Sequence, residues 1–254
     1  VVTNFNAYYM FNTNQSGQKK KAKYFRLNVE YGGEILHQIL QNVLQQETNQ
    51  IGQFKTFRYA KTTADFRIYR PLSKNTMLAF RLSGGAAVPI GGSQVLPWEK
   101  YAFAGGSNSV RAWLPRRLGP GSYAPEGSDP NNLKIEQPGE LILESSIEIR
   151  QKLIGFLEGA LFADAGNVWN LENDPERPGA EITPLFLRQV ALGGGFGIRF
   201  DFSFLIIRVD AATKLYNPAF ASESDKWQVK NLRLNRPFGV KGQTLLNVGI
   251  GYPF

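Results

Sequence analysis

The sequence contains no cysteine and a single histidine, His37. A disulfide framework and a thiolate metal site are therefore excluded, and one imidazole cannot by itself build a histidine metal centre. The lack of cysteine is compatible with the periplasm but does not assign the compartment. Long apolar runs are missing too. One of the longest, Phe202 to Ile207, is interrupted by Ser203 and lies far below the ~20 residues that a membrane-spanning helix needs. The chain also opens without a leader, since Val1-Val2-Thr3-Asn4-Phe5-Asn6 has no basic region, apolar stretch or cleavage site. It reads as a mature protein or as a fragment of a longer one.

Charge is present but dispersed. The formal net charge is +8, yet only Lys19-Lys20-Lys21 form a run, whereas a nucleic-acid reader gathers its basic residues on one face. No nucleic-acid partner is expected. What remains is a chain with 13% aromatic residues and 26 glycines at a mean hydropathy of −0.26, as expected where apolar side chains alternate with polar ones.

The alternation is explicit once parity is followed. A period of two sorts a strand's side chains onto two faces, and about nine segments obey it. Phe5, Ala7, Tyr9 and Phe11 share one parity, and Phe25, Leu27, Val29 and Tyr31 oppose Arg26, Asn28 and Glu30. A third segment, from about Phe54 to Arg70, is out of phase in its upstream half, which predicts a bulge. Further segments are Thr76 to Val88, Glu140 to Leu153, Phe156 to Trp169, Val190 to Phe202, Phe204 to Leu215 and Leu245 to Phe254. The connections alternate between short (Arg70 to Asn75, Leu153 to Gly155, Asp201 to Ser203) and long (Leu36 to Gln53, Pro89 to Gly139, Trp169 to Gln189, Tyr216 to Thr244). Short turns at one end and long loops at the other are the pattern of outer-membrane barrels. Ile35, Ile39, Val43 and Leu44 fall at helical spacing, so the first long loop is compatible with a short amphipathic helix as well as with a plain loop.

Two motifs stand out against this background. Phe103-Ala-Gly-Gly-Ser-Asn-Ser-Val-Arg-Ala-Trp113 is a glycine-rich approach to an arginine and an aromatic residue. Phe162-Ala-Asp-Ala-Gly-Asn-Val-Trp169 sets Asp164 on the polar face of a strand, and Glu148 has the same parity on the strand before it. Gly193, Gly195 and Gly197 lie within a strand with no helix following, so close packing against a neighbouring segment accounts for them better than a phosphate loop does.

Together with the C-terminal aromatic Phe254, these motifs make the chain resemble the BamA/TamA family of outer-membrane assembly barrels, the bacterial surface antigen family. The resemblance is clearest from Tyr101 to Phe254. It implies an all-β fold, an antiparallel transmembrane β-barrel of which this chain supplies about nine C-terminal strands out of sixteen. Residues 1–254 would be the C-terminal part of the barrel domain and 89–139 an extracellular loop folded inward. Periplasmic repeat domains and the first strands of the barrel are expected to lie outside this sequence. The family's Val-Arg-Gly-aromatic loop motif falls on Val110, Arg111, Ala112 and Trp113, with Ala in place of the usual Gly. Its inner-wall partners fall on Glu148, Phe162, Asp164 and Gly166. A planar guanidinium bonds carboxylates bidentately, so Arg111 is expected to anchor the loop. The terminal strand, with Val248, Ile250, Tyr252 and Phe254 alternating, is similar to the C-terminal targeting signal and the seam strand of such barrels.

Integral localisation in a Gram-negative outer membrane follows from the resemblance, as does assembly, insertion or translocation of proteins by lateral opening, with no chemical step and no cofactor. The partners implied are outer-membrane lipids, unfolded client outer-membrane proteins, and accessory lipoproteins or a periplasm-spanning protein. A two-partner-secretion transporter and a passive porin or surface antigen are the alternatives. A lipase-type enzyme would need a nucleophile supported by His37, and no serine lies near it in sequence.

Overall fold

A computed structural model describes residues 3–13, 21–33, 37–38, 50–51, 54–55, 57–233 and 235–254. The strands are β1 (Asn4–Asn12), β2 (Ala22–Gly32), β3 (Gln50–Ile51), β4 (Phe54–Lys55), β5 (Tyr59–Pro71), β6 (Thr76–Pro89), β7 (Leu141–Lys152), β8 (Leu157–Trp169), β9 (Ala191–Asp201), β10 (Ile206–Tyr216) and β11 (Thr244–Ile250). Nine of them form one sheet in the order β1-β2-β5-β6-β7-β8-β9-β10-β11, each pair antiparallel. Neighbours in sequence are neighbours in space, so the sheet is an up-and-down meander.

The alternation of the sequence becomes two faces of opposite character, and their order is inverted relative to a water-soluble protein. On β7, Ile147 and Ile149 are 45% and 42% exposed, whereas Glu148 and Arg150 between them are 0% and 3%. Leu161 on β8, Phe196 and Ile198 on β9, and Leu246, Val248 and Ile250 on β11 are likewise exposed on the outer face. Charge faces inward and hydrocarbon outward, as a lipid-facing barrel requires. Strands β2 and β5 to β10 run 11 to 14 residues, enough for a tilted strand to cross the ~30 Å hydrocarbon layer.

The packed core lies between a loop and the inner wall. Ala104, Val110, Ala112, Trp113 and Leu118 of the β6–β7 loop pack against Phe162 and Val168 of β8, Ala191 of β9 and Ala212 of β10. The short connections β5–β6, β7–β8 and β9–β10 gather at one end of the sheet. The long ones, β2–β5, β6–β7, β8–β9 and β10–β11, gather at the other.

Two expectations change in detail. The out-of-phase stretch before β5 is not a bulge: Phe54–Lys55 is a separate strand paired with Gln50–Ile51, and β5 pairs with β2 and β6 without a register shift. The irregularity sits instead between Lys214 and Tyr216 in the β9–β10 ladder. Alternation at the C-terminal end stops at Ile250, because Gly251 takes φ +79° and Pro253 has no amide hydrogen to give. Tyr252 and Phe254 therefore turn inward rather than continuing β11. Ile35, Ile39, Val43 and Leu44, where a helix was considered, lie outside the described residues.

Candidate functional site: a loop anchored to the inner wall

The wall is built by register. Cross-strand pairing sets Glu148 opposite Phe162, Ser146 opposite Asp164 and Glu144 opposite Gly166. Phe162, Asp164 and Gly166 are two residues apart, so all three face the lumen, and β9 presents Gly193 beside Asp164. The loop tip descends onto this surface. Val110, Arg111, Ala112 and Trp113 are all at most 3% exposed.

Arg111 makes the central contact. Its Nε and Nη2 donate to the two oxygens of Asp164, each at 2.8 Å, and its backbone N–H donates to Asp164 Oδ2 at 3.1 Å. Its Nη1 donates to Glu148 Oε2 at 2.6 Å. The guanidinium carbon lies 3.4 Å from the centre of the Phe162 ring, a cation–π contact sheltered from water. Burial alone would disfavour the cation, but Asp164 and Glu148 outweigh it and hold the guanidinium pKa above its usual value. The remaining backbone oxygen of Arg111 accepts from Asn247 Nδ2 on β11 at 2.9 Å.

Small residues make the approach possible. A Cβ on Gly166 would come 2.7 Å from the Leu143 carbonyl and 3.1 Å from Val110. One on Gly193 would come 2.9 Å from the Ala112 methyl. Ala in place of the usual loop glycine is tolerated for a local reason. Among the described residues only Arg116 and Ser203 are non-glycines with positive φ, so Ala112 has no left-handed backbone to satisfy. Gly193 leaves room for its methyl. Trp113 closes the tip, with Lys214 Nζ 5.4 Å from its ring.

Four further groups join the anchor that the motifs alone do not single out. Arg150 Nε donates to Glu148 Oε1 at 2.8 Å. Arg199 lies 3.2 Å from Glu148 and 2.7 Å from Asp210, facing both without in-line hydrogen-bond geometry. Arg208 is 3.6 Å from Asp210, and Asp210 is 3.8 Å from Arg111. Arg199 and Arg208 are direct cross-strand partners, a like-charge pair that is costly unless carboxylates lie between them. Asp210 faces both arginines, and Glu148 adds a second carboxylate beside Arg199. The parity signal for these residues is present in the sequence, since all face the lumen, but no motif ties them to the loop.

The loop is gripped beyond Arg111. Arg81 of β6 donates to the Asn108 carbonyl at 3.0 Å, while Arg208 of β10 bonds the Asn108 side chain. Ser109 bonds Glu144. Lys100, at the start of the loop, bonds Glu30 at 2.5 Å, and Lys61 donates to the Lys100 carbonyl at 3.0 Å. Two wall residues each hold two long loops: Lys214 Nζ of β10 donates to the carbonyls of Asn131 and Gly242, and Asn167 Nδ2 of β8 to those of Gly121 and Gln189.

The C-terminal residues divide. Val248 and Ile250 point outward from β11, which lies at one edge of the sheet. Tyr252 donates to Glu158 Oε2 at 2.8 Å, its ring lies 4.1 Å from the Arg150 guanidinium, and Phe254 is buried with Ala22, Tyr69 and Ala79. Among the described residues no cluster of three or more His, Cys, Asp or Glu side chains could hold a metal.

An antiparallel sheet with a charged inner wall, an apolar outer face and a long loop bound inside defines an integral outer-membrane β-barrel. The Omp85 superfamily domain matches residues 9–231, and the chain belongs to that superfamily. Solved structures similar to it include BamA from Haemophilus ducreyi lacking POTRA domains 1-3, at 15% identity and a TM-score of 0.49 over 84% of this chain and 51% of that one. CdiB from Acinetobacter baumannii is similar at 13% identity and a TM-score of 0.40, over 98% of this chain and 41% of that one. The chain thus spans about half the length, or less, of these structures.

Proposed function

We propose that this chain belongs to a barrel that assembles or inserts other outer-membrane proteins by lateral opening, with no chemical step. The reading rests on the anchored loop. A passive diffusion pore has no use for a segment held across its lumen by a buried bidentate arginine, whereas a barrel whose wall must part keeps its interior in register if a loop is fastened to strands away from the edge. Arg111 is fastened to β7 and β8, and reaches β11 only through one Asn247 hydrogen bond. In this reading β11, the last strand of the sheet, lies at the seam that parts, where an incoming strand pairs by its backbone. The clients in this reading are unfolded outer-membrane proteins, and accessory lipoproteins or a periplasm-spanning protein would assist.

A two-partner-secretion transporter is the second reading. On its side is a polar cavity of about 390 Å³ beside the loop tip, lined among others by Arg26, Asp65, Arg67, Arg81 and Glu144, which an extended polypeptide could follow. Depletion of the full-length protein separates the readings. Lowered levels of other outer-membrane barrels are expected. Unchanged barrel levels with loss of one secreted protein would favour the transporter, and no change in either would leave a passive pore.

A further inference from the structure

Turns at the short-connection end of an outer-membrane barrel normally meet water, and β5–β6 conforms with Ser73, Lys74 and Asn75 at its tip. The next two turns do not. The β7–β8 connection reads Leu153-Ile154-Gly155-Phe156 and the β9–β10 connection Phe202-Ser203-Phe204-Leu205. Ile154 is 84% and Phe204 89% exposed.

These side chains form one patch on the outer face. Phe156 stacks on Phe202 with ring centres 5.1 Å apart, lies 6.3 Å from Phe200, and Phe202 is 6.5 Å from Phe204. Leu153 lies on the outward side, where a Cβ on Gly159 would touch it. Along β8 and β9 the patch runs on through Leu157 and Phe200 into the exposed Leu161 and Ile198 of the lipid-facing surface, while on β7 Gln151 separates Leu153 from Ile149. An exposed apolar surface of this kind marks an interface, and its continuity with the membrane-facing wall identifies the occupant. Aromatic rings at the boundary between headgroups and acyl chains are the usual anchors there.

We infer that the β7–β8 and β9–β10 turns are immersed in the inner-leaflet interface of the outer membrane, binding glycerophospholipid, while the β5–β6 turn stands in water. The periplasmic rim is therefore uneven, with strands β7 to β10, two of which carry the Arg111 anchor, seated on lipid at their turns.

These 254 residues hold no cysteine, so a single one can be placed at will once any cysteine elsewhere in the full-length protein is replaced by serine. Single variants Ile154→Cys and Phe204→Cys of the full-length protein, labelled with the environment-sensitive fluorophore NBD in phospholipid vesicles, are compared with Lys74→Cys. Folding of each is verified by heat-modifiability. Blue-shifted emission at 154 and 204, quenched by a headgroup-proximal nitroxide lipid and shielded from aqueous iodide, with the reverse at 74, is the expected result. Quenching by iodide at 154 and 204 would overturn the inference by placing the turns in water. Shielding from both quenchers would overturn it by showing a protein surface on the patch. The result is independent of whether the barrel assembles, secretes or conducts.

Discussion

Arg111 shows how much one side chain can hold when its partners are pre-positioned. It is desolvated together with Asp164 and Glu148, and the cost of removing such charges from water is offset only by near-ideal geometry and full hydrogen bonding. Six short contacts to Arg111 from these two carboxylates, Phe162 and Asn247 provide that. Breaking one side of a buried pair costs about 3–5 kcal/mol. Arg111→Glu, which sets a fourth carboxylate among Glu148, Asp164 and Asp210, is expected to lower stability by at least that much and to abolish the folded band in heat-modifiability gels at temperatures where the parent keeps it. Asp164→Arg in the same chain should restore part of the loss. A single mutant with parental behaviour would show that the loop is held elsewhere. The motif was legible from the sequence through the family resemblance that Val110 to Trp113, Phe162 to Gly166 and Glu148 carry, with parity placing Glu148 and Asp164 on the lumen face. Arg150, Arg199, Arg208 and Asp210 were not, since parity assigns a face but not a height, and their meeting depends on the register of β7, β9 and β10.

At the level of elements, the long loops are joined to one another through the wall. Lys214, buried on β10, donates to the carbonyls of Asn131 in the β6–β7 loop and Gly242 in the β10–β11 loop. Each buried carbonyl left without a donor costs about 1–3 kcal/mol. Lys214→Met, close in length but without donors, is expected to loosen both loops while leaving the strands paired. Limited proteolysis of the folded protein in vesicles should then cut within 119–138 and 217–243 faster than in the parent, with the barrel core intact. Equal cutting rates would mean that Asn131 and Gly242 are held by other bonds, such as the Asn131 amide to Gln228. The β3–β4 pair and the end of β11 illustrate where element limits escape the sequence. A phase slip in a pattern can mean a bulge or a separate strand. Alternation through Tyr252 and Phe254 gives no sign that a left-handed Gly251 redirects both rings inward.

For the whole molecule the decisive property is which face meets lipid. Leu161, 65% exposed on β8, lies on the apolar side of a strand whose other side carries Asp164 and Glu158. A cationic side chain on the lipid face costs up to about 2–4 kcal/mol at the bilayer midplane. Leu161→Arg is therefore expected to slow and weaken folding into phospholipid vesicles, read by the yield of the heat-modifiable band, with far less effect in detergent micelles that adapt to the charge. A matching loss in both media would point to a packing role for Leu161 instead.

Strand number, strand face and the asymmetry of the connections are written in local order, and the family resemblance supplied the central ion pair. A period of two, turn residues and a pair of motifs need no distant contact to be read. The tertiary structure alone decided which lumen charges meet Arg111, where the loop core sits, how the last four residues bend and which turns carry exposed aromatic rings onto the lipid face. The physical reason is that alternation is a property of one strand, whereas a site inside a barrel is set by the register of several strands and by the depth to which a loop descends among them.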